Sequence, residues 1–232
     1  MKQAAAGFTL IEMAVVLVVV GLMLGGLLMP ISAQLDQRNY TETRRAMSDI
    51  REALLGFAMA NGHLPCPAIS VSDGREDRAV SGICNKRVGF LPWSELAVPK
   101  LDGWGHLYRY SATQVFIDAT PKVSLTSTPD ILIKTRDTTG TAINLTNTST
   151  VIAVVLSFGK NGRWSYSDQA IQAADGSTTN SDEDANASGT ASFFSRELTA
   201  NTAAPGGEFD DFVLWIPATL YFNRMVSAGQ LP

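Results

Sequence analysis

The chain has few of the residues on which metal centres and nucleic-acid interfaces usually depend. Its 232 residues include two histidines and two cysteines, only 17% are charged, and the formal net charge is −4. A mildly acidic chain gives no general case for nucleic-acid binding. Zinc sites use three or four ligands at recognisable spacing, which the isolated His63 and His106 do not provide. We therefore predict neither zinc nor nucleic acid as a partner.

Motifs of the common enzyme classes are also missing from the sequence. There is no Gly-x-Ser-x-Gly elbow and no Walker loop for phosphate, and nothing suggests a Cys–His nucleophile. No feature calls for a pair of catalytic carboxylates. We predict that the chain is not an enzyme and has no catalytic residues.

One long stretch lacks charge altogether, and it follows a short leader, residues 1–7. The run from Met13 to Ile31 is apolar, and Glu12 stands at its head. About 20 apolar residues are enough to cross the bilayer core as a helix. We predict a transmembrane or assembly helix at residues 8–31. A lone carboxylate at its edge is costly and points to a function.

An ordinary secretory signal peptide or signal anchor is the simplest alternative for this N-terminus. Such a signal has a basic segment, an apolar core and a small-residue cleavage site. Here the leader carries only Lys2 and ends in a glycine, and no A-x-A-like site follows the apolar run. A plain anchor also has no use for an acidic residue at the start of its apolar stretch.

The hexapeptide Gly7-Phe8-Thr9-Leu10-Ile11-Glu12, followed by an apolar helix, resembles the class III signal of type IV prepilins and type II secretion pseudopilins. The resemblance implies that a prepilin peptidase cuts between Gly7 and Phe8 and methylates the new N-terminus at Phe8. It also implies that the mature helix packs against those of other pilins.

Glu12 has a physical role in such a filament, and Thr9 belongs to the same assembly motif. The positive amine of Phe8 in one subunit can meet the Glu12 carboxylate of a neighbour. Removing one partner of a buried charge pair costs roughly 3–5 kcal/mol, so the pair would fix the register of assembly. The alternative is that Glu12 only reaches towards the lipid headgroups.

After the apolar run, residues 32–62 are amphipathic. The apolar residues recur at helical spacing, with charged residues between them. These apolar residues are Leu35, Met47, Ile50, Leu54, Phe57 and Ala58. Gly62 suits the left-handed cap that ends a helix. Residues 9–60 are therefore predicted to form one helix of about 75 Å.

The remaining residues, 63–232, are predicted to form a β-rich head. Candidate strands are Gln114–Asp118, Asp130–Thr135, Val151–Phe158 and Phe212–Ile216, and a short helix is expected at Ala218–Ser227. Val151–Phe158 is nearly all apolar, which is typical of a central strand. The predicted fold class is α+β and pilin-like, with an antiparallel β-sheet head packed on the second half of the long helix.

Two short motifs of the head resemble those of major type II pseudopilins. The first is Asp102-Gly103-Trp104-Gly105 with Tyr110 after it, and the second runs from Ser157 to Gly162. Glycines on either side of Trp104 permit a tight turn while the indole fills the core. The motifs are interpreted as structural turns and are assigned no chemistry.

The two cysteines, Cys66 and Cys84, both lie in the predicted head. A positive leader favours a cytoplasmic N-terminus, which places the head in the oxidising periplasm. A disulfide there would stabilise the head by about 3 kcal/mol. The alternative is a pair of unpaired buried thiols, and we favour the bridge.

Residues 167–208 are polar and are predicted to form a long surface loop. The densest acidic cluster, Asp182-Glu183-Asp184, lies in it, and Asp210-Asp211 follows. Oxygen-rich loops suit calcium, and the resemblance implies a calcium site in this late loop. Asp182, Asp184, Asp210 and Asp211 are the calcium candidates. Their spacing is not that of an EF-hand, so a solvated acidic loop without metal is favoured.

The sequence as a whole predicts a minor pilin or pseudopilin of a type IV pilus or type II secretion filament. The expected partners are the prepilin peptidase, other pilins, an assembly platform with its ATPase, and the inner membrane. The head is expected in the periplasm, and at the cell surface or in a periplasm-spanning filament after assembly. The alternatives are a membrane-anchored periplasmic binding protein or enzyme that uses the same leader, and a major, self-polymerising pilin.

Overall fold

A single helix, α1 (Leu10–Asn61), occupies 52 residues at the N-terminal end of the chain. The computed structural model describes Gly7 and residues 9–232, except for the side chains of residues 24–31. The chain divides into two compact units, Met1–Tyr40 and Thr41–Pro232. The single helix predicted for residues 9–60 is confirmed to within one residue at each end.

The first unit contains the predicted membrane segment, residues 8–31. Its large apolar side chains from Leu10 to Met23 are exposed. Within the part of the chain that the structure describes, no helix is long and apolar enough to cross a membrane. Phe8 and the side chains of 24–31 belong to the predicted segment but lie outside the described residues, as do residues 1–6 of the leader. The membrane assignment therefore stays a prediction.

In the second unit, the part of α1 after Tyr40 buries an apolar stripe. The stripe repeats every three or four residues, as one face of a helix must. Its buried members are Ala46, Met47, Ile50, Leu54, Leu55 and Ala58. The helix ends where Gly62 takes a φ of +84° and donates its N–H to the carbonyl of Ala58 at 2.8 Å. This is the left-handed glycine stop predicted from the sequence.

The main sheet has four antiparallel strands. In chain order they are β1 (Val88–Phe90), β2 (Arg109–Ala112), β5 (Val151–Ser157) and β7 (Phe212–Pro217), and the spatial order is the same. All seven residues of β5 are buried. The prediction of a central strand at Val151–Phe158 is confirmed, and so is the strand at Phe212–Ile216.

A second sheet of three strands has the order β4-β3-β6, with β3 at Leu132–Arg136, β4 at Ala142–Asn144 and β6 at Ser192–Phe194. β3 pairs antiparallel with β4 but parallel with β6. The predicted strand Asp130–Thr135 corresponds to β3. Around Phe193, the core includes Ile131, Ile133, Val151 and Val154. The α+β class, a helix followed by an antiparallel sheet domain, is confirmed and is consistent with a pilin-like fold.

Four short helices complete the second unit: α2 (Trp93–Leu96), α3 (Gln114–Ile117), α4 (Ser181–Ser188) and α5 (Ala218–Ser227). The helix predicted at the C-terminus matches α5. The strand predicted at Gln114–Asp118 is wrong, because this segment forms α3. Phe116 and Ile117 are both buried, and Phe116 packs edge-on against Tyr221 of α5. Packing therefore outweighs the β-propensity of Val, Phe and Ile.

The prediction of one long surface loop at residues 167–208 is also wrong. This stretch contains α4 and β6, and Phe193 is completely buried. Its polar side chains find partners inside the head. The amide of Asn186, for example, donates to the carbonyl of Phe194 at 3.0 Å and accepts from the N–H of Phe194 at 2.6 Å. Hydrogen bonds inside the head therefore hold this polar segment together with the burial of Phe193.

A buried turn at Asp102 joins the helix to the sheet. The Asp102 carboxylate accepts the N–H groups of Trp104 and His106 at 3.0 and 2.9 Å, and the hydroxyl of Ser157 at 2.6 Å. The N–H of Gly103 donates to the hydroxyl of Thr43 on α1 at 3.0 Å. One turn therefore links α1 and β5, and it explains why the motif needs an aspartate and small residues.

Trp104 leaves this turn and stacks on Phe212 of β7, with ring centroids 6.0 Å apart. The ring is half-buried, so it covers one edge of the core more than it fills the centre. Gly105 has a φ of +87°, a conformation that glycine adopts without steric cost.

Cys66 and Cys84 form the predicted disulfide, and both are buried. The bridge closes a loop of 18 residues. Replacing both cysteines by alanine should lower the free energy of unfolding by about 3 kcal/mol, because the unfolded chain regains the freedom of that loop. Urea unfolding of the wild type and the variant without reductant measures this difference in free energy.

Reduced wild-type protein serves as the control for side-chain loss, since it keeps both sulfur atoms. It should lose about the same stability as the double variant. A loss below about 1 kcal/mol in both proteins would contradict the stabilising role of the bridge.

Candidate functional site

The N-terminal motif forms a reciprocal cap at the start of α1. Thr9 donates its backbone N–H and its hydroxyl to one oxygen of Glu12, each at 2.8 Å, and its hydroxyl oxygen accepts the N–H of Glu12 at 3.3 Å. This is a capping box, in which two residues three apart satisfy each other's free N–H groups. The Thr-x-x-Glu spacing of a capping box is visible in the sequence, although Thr9 and Glu12 are predicted above only as assembly residues.

The cap fixes the Glu12 carboxylate at the N-terminal end of the helix, where a negative charge is favoured by the helix dipole. Gly7 lies two residues before Thr9 and is exposed. A Cβ at Gly7 would meet no described atom within 4 Å. Phe8, the predicted site of methylation, lies outside the described residues. The geometry therefore gives Glu12 a local partner and leaves the space around Gly7 open.

A second cluster lies in the head, where three carboxyl groups meet. Single oxygens of Glu183, Asp210 and Asp211 all lie within 4.8 Å of one another. Glu183 is on α4, and the two aspartates immediately precede β7. Glu183 and Asp211 are buried, and Asp210 is partly buried. In the described part of the chain, this is the one group of three or more acidic, histidine or cysteine side chains with metal-binding spacing.

Backbone and amide groups hold this carboxylate cluster in place. The N–H of Asp210 donates to Glu183 at 2.8 Å, and the N–H of Asn161 donates to Asp210 at 2.7 Å. The amide of Asn186 donates to Asp211 at 2.8 Å. Asn161 belongs to the turn at Ser157–Gly162, where a Cβ on Gly159 would lie 2.2 Å from the carbonyl oxygen of Asp210. That glycine therefore allows the turn to approach the cluster.

The three carboxyl groups cannot all be ionised at low cost. Burial raises the pKa of Asp210 to about 7, and the neighbouring Glu183 adds to the effect. Burial likewise raises the pKa of Asp211 well above its ordinary value, and the Glu183 charge again contributes. The Arg163 guanidinium is no closer than 4.0 Å to Glu183. The arrangement therefore favours retained protons or a cation, and its all-oxygen character is the kind that calcium prefers.

The four calcium candidates from the sequence have different positions. Asp182 is buried between Arg136 and Arg196, at 2.6 and 2.7 Å. Asp184 accepts the indole N–H of Trp164 at 2.8 Å. Only Asp210 and Asp211 come together, with Glu183, which was not among the candidates. The solvated acidic loop favoured by the sequence is wrong for Asp182 and Glu183, because both are buried.

Neither histidine is one of the three grouped side chains of this cluster. His63 has its Nδ1 3.0 Å from Arg78 and 2.9 Å from the carbonyl oxygen of Leu64. His106 lies 3.7 Å from Asp102. Both histidines therefore contact structural groups of the head.

The carboxylate cluster should make the stability of the head depend on pH. In the folded state Asp210 holds its proton up to about pH 7, whereas its ordinary value is 3.8. The folded state thus binds more protons than the unfolded state between these values, and stability falls as pH rises, on the order of 1 kcal/mol per pH unit. Asp210→Asn should flatten this decline between pH 5 and 7. The free energy of unfolding at each pH is measured by urea unfolding of the full chain in micelles, with a chelator present.

Glu197→Gln removes an exposed carboxylate and is the matched control, which should leave the pH dependence unchanged. Identical pH profiles for wild type and Asp210→Asn would show that Asp210 does not take up a proton on folding. Repeating the series with calcium at pH 8 tests the cation, since calcium bound to the cluster would stabilise the wild type and not Asp210→Asn.

The N-terminus matches a known family model. Comparisons with curated proteins and with solved structures found no match. The model described as the prokaryotic N-terminal methylation motif matches residues 2–28, a range that contains Gly7, Phe8, Thr9 and Glu12. That motif implies processing by prepilin peptidase and assembly with other pilins. The chain therefore carries the prepilin-type signal of the type IV pilin and pseudopilin family at its N-terminus.

Proposed function

We propose that this protein is a structural subunit, a minor pilin or a pseudopilin, of a type IV pilus or type II secretion-type filament. The observation that carries the proposal is the methylation motif at residues 2–28, which overlaps the start of the 52-residue helix α1. A leader of this kind followed directly by a long helix is what subunits need when they are drawn from a membrane into a fibre.

In this proposal, prepilin peptidase cuts between Gly7 and Phe8 and methylates Phe8. The subunit waits in the inner membrane through residues 8–31, with its head in the periplasm. An assembly platform and its ATPase then move it into the filament. Lipid and filament interior are both apolar, so transfer between them yields little hydrophobic free energy. Helix packing and the Glu12 charge must therefore decide where each subunit stops.

Two features of the head support the periplasmic placement and the pseudopilin assignment. The Cys66–Cys84 bridge is typical of proteins that fold in an oxidising compartment. The sequence of the Asp102 turn resembles that of major pseudopilins. The turn connects the helix to the sheet through hydrogen bonds with Thr43 and Ser157. The proposal includes no catalytic role, no required cofactor and no nucleic-acid partner. Catalysis by the isolated head would favour the membrane-anchored enzyme instead.

Glu12 is proposed to act twice, first as a helix cap and then as the partner of a neighbouring Phe8 amine. Glu12→Ala should leave export and cleavage intact and reduce incorporation into filaments by more than roughly tenfold, because the buried amine is left unpaired. The incorporated fraction is measured by shearing filaments from cells and quantifying the subunit against the membrane pool.

Glu12→Gln separates the two roles. Glutamine also completes a capping box but carries no charge. If charge pairing sets the register, Glu12→Gln should fail as Glu12→Ala does. Thr9→Ala loses only the two hydroxyl hydrogen bonds of the cap and keeps the charge, so it should still assemble. Normal assembly of Glu12→Gln would show that the carboxylate acts only as a cap.

Gly7 is proposed to be the residue that the peptidase requires before the cut. Gly7→Leu should leave an uncleaved precursor that begins at residue 1, because the side chain blocks the protease and not the fold. The open space around Gly7 supports this separation. Intact-mass measurement of the membrane-extracted protein distinguishes precursor from mature chain.

Gly56→Ala is a suitable control for the Gly7 substitution. Gly56 is also a glycine with open space around its Cβ position, but it lies on α1 far from the leader. This variant should be cleaved normally. Mature protein from Gly7→Leu would show that a different protease, or a different site, is used.

A further inference from the structure

An aromatic cavity in the head is not used by any step of assembly. Its volume is about 680 Å³, within the range of about 300–1,000 Å³ typical of small-molecule sites. The aromatic part of its lining consists of Phe90, Phe158, Trp164 and Tyr166. Phe90 of β1 and Tyr166 meet edge-on, with ring centroids 5.0 Å apart. The cavity lies entirely in the second unit.

Trp164 is held at this cavity in an unusual backbone conformation. Its φ is +61°, in the left-handed region that bulky residues rarely occupy. It lies in a turn closed by the N–H of Ser165 and the carbonyl of Gly162 at 3.1 Å, a place where glycine would be less strained. Residues strained in this way cluster at functional sites.

The indole of Trp164 is also fixed in direction. Its N–H donates to Asp184 at 2.8 Å, although 37% of the residue is exposed. The backbone conformation and the hydrogen bond together preorganise this partly exposed ring. Little conformational freedom of the protein would therefore be lost when a ligand stacks against it. The tether also explains why Asp184 is on the cavity wall and not in the carboxylate cluster.

Polar groups of both signs line the same cavity. Arg109 donates to the carbonyls of Ala187 and Gly189, and no described carboxylate forms an ion pair with it. Asp184 supplies an anion, and the exposed amide of Gln172 makes no hydrogen bond within the described part of the chain. One cation and one anion cancel, so charge alone selects neither anions nor cations.

We propose that this cavity binds a saccharide, one or two sugar rings in size. A sugar ring has an apolar C–H face that stacks on the electron-rich face of an aromatic ring. Its hydroxyls both donate and accept, which suits the donors of Arg109, the acceptor of Asp184 and the amide of Gln172. A purely apolar ligand would give no partner to the Gln172 amide or to the buried Nε of Arg109, which has none in the described structure.

The test uses the full chain in lauryldimethylamine oxide micelles, because maltoside and glucoside detergents would compete for the site. Saturation-transfer-difference NMR is run with glucose, galactose, N-acetylglucosamine, cellobiose, lactose and chitobiose, and calorimetry gives the affinity. At least one of these sugars should bind with a dissociation constant of about 1 mM or tighter.

Three variants locate the site. Trp164→Gly removes the ring and relieves the left-handed strain, so it should be at least as stable as Trp164→Ala while both weaken binding roughly tenfold or more. Tyr166→Ala should weaken binding similarly. Trp93→Phe alters a tryptophan that contacts Lys100 away from the cavity, and it should bind sugar normally.

Three results would overturn the proposal. The first is no saturation transfer to any of the six sugars. The second is equal sugar affinity in wild type and Trp164→Gly. The third is binding of inorganic phosphate with no binding of sugar, which would make Arg109 the centre of an anion site. If Tyr166→Ala does not fold, the sugar affinities of Trp164→Gly and Trp164→Ala test the proposal.

Discussion

The head depends on one buried carboxylate, that of Asp102. It accepts two backbone N–H groups of its own turn and the hydroxyl of Ser157, while the adjacent Gly103 bonds Thr43 on α1. A buried charge is tolerated only when several donors surround it. Because these donors come from the turn and from β5, and the turn also bonds α1, the carboxylate fixes the position of the sheet against the amphipathic part of the helix.

The need of a buried carboxylate for surrounding donors also explains why Asp182 and Glu183, neighbours on α4, differ in their surroundings. Consecutive residues on a helix point about 100° apart. Asp182 therefore faces Arg136 and Arg196 and is neutralised by them, whereas Glu183 faces Asp210 and Asp211. The first arrangement places opposite charges together. The second leaves like charges together and raises the pKa of both aspartates, so protons or a cation must complete it.

The N-terminal motif shows how one residue can serve two states of a protein. In the single chain, Glu12 and Thr9 satisfy each other at the start of α1. In the proposed filament, the same carboxylate would meet the amine of a neighbour. These functions are compatible, since a carboxylate has two oxygens and more than two acceptor positions. A cap that already orients Glu12 would also lower the entropic cost of pairing with that amine.

The sequence alone determined the features that follow from local pattern. The helical spacing of Met47, Ile50, Leu54 and Ala58 predicted the buried stripe of α1, the apolar run at Val151–Phe158 predicted the central strand, and the two cysteines predicted their bridge. The compact motif around Gly7 and Glu12 identified the signal. The helix, the strand and the signal depend on neighbours in the chain, so local pattern is enough to predict them. The bridge joins residues 18 positions apart and was predicted because the chain has only two cysteines.

Only the tertiary structure decided the rest. It made a helix of Gln114–Ile117, folded α4 and β6 out of a polar stretch, and paired β6 parallel with β3. It also joined Glu183 to Asp210 and Asp211, 27 and 28 positions later, and brought Trp164 to Asp184. These outcomes depend on which distant groups bury together, and local periodicity carries no information about partners so far apart along the chain.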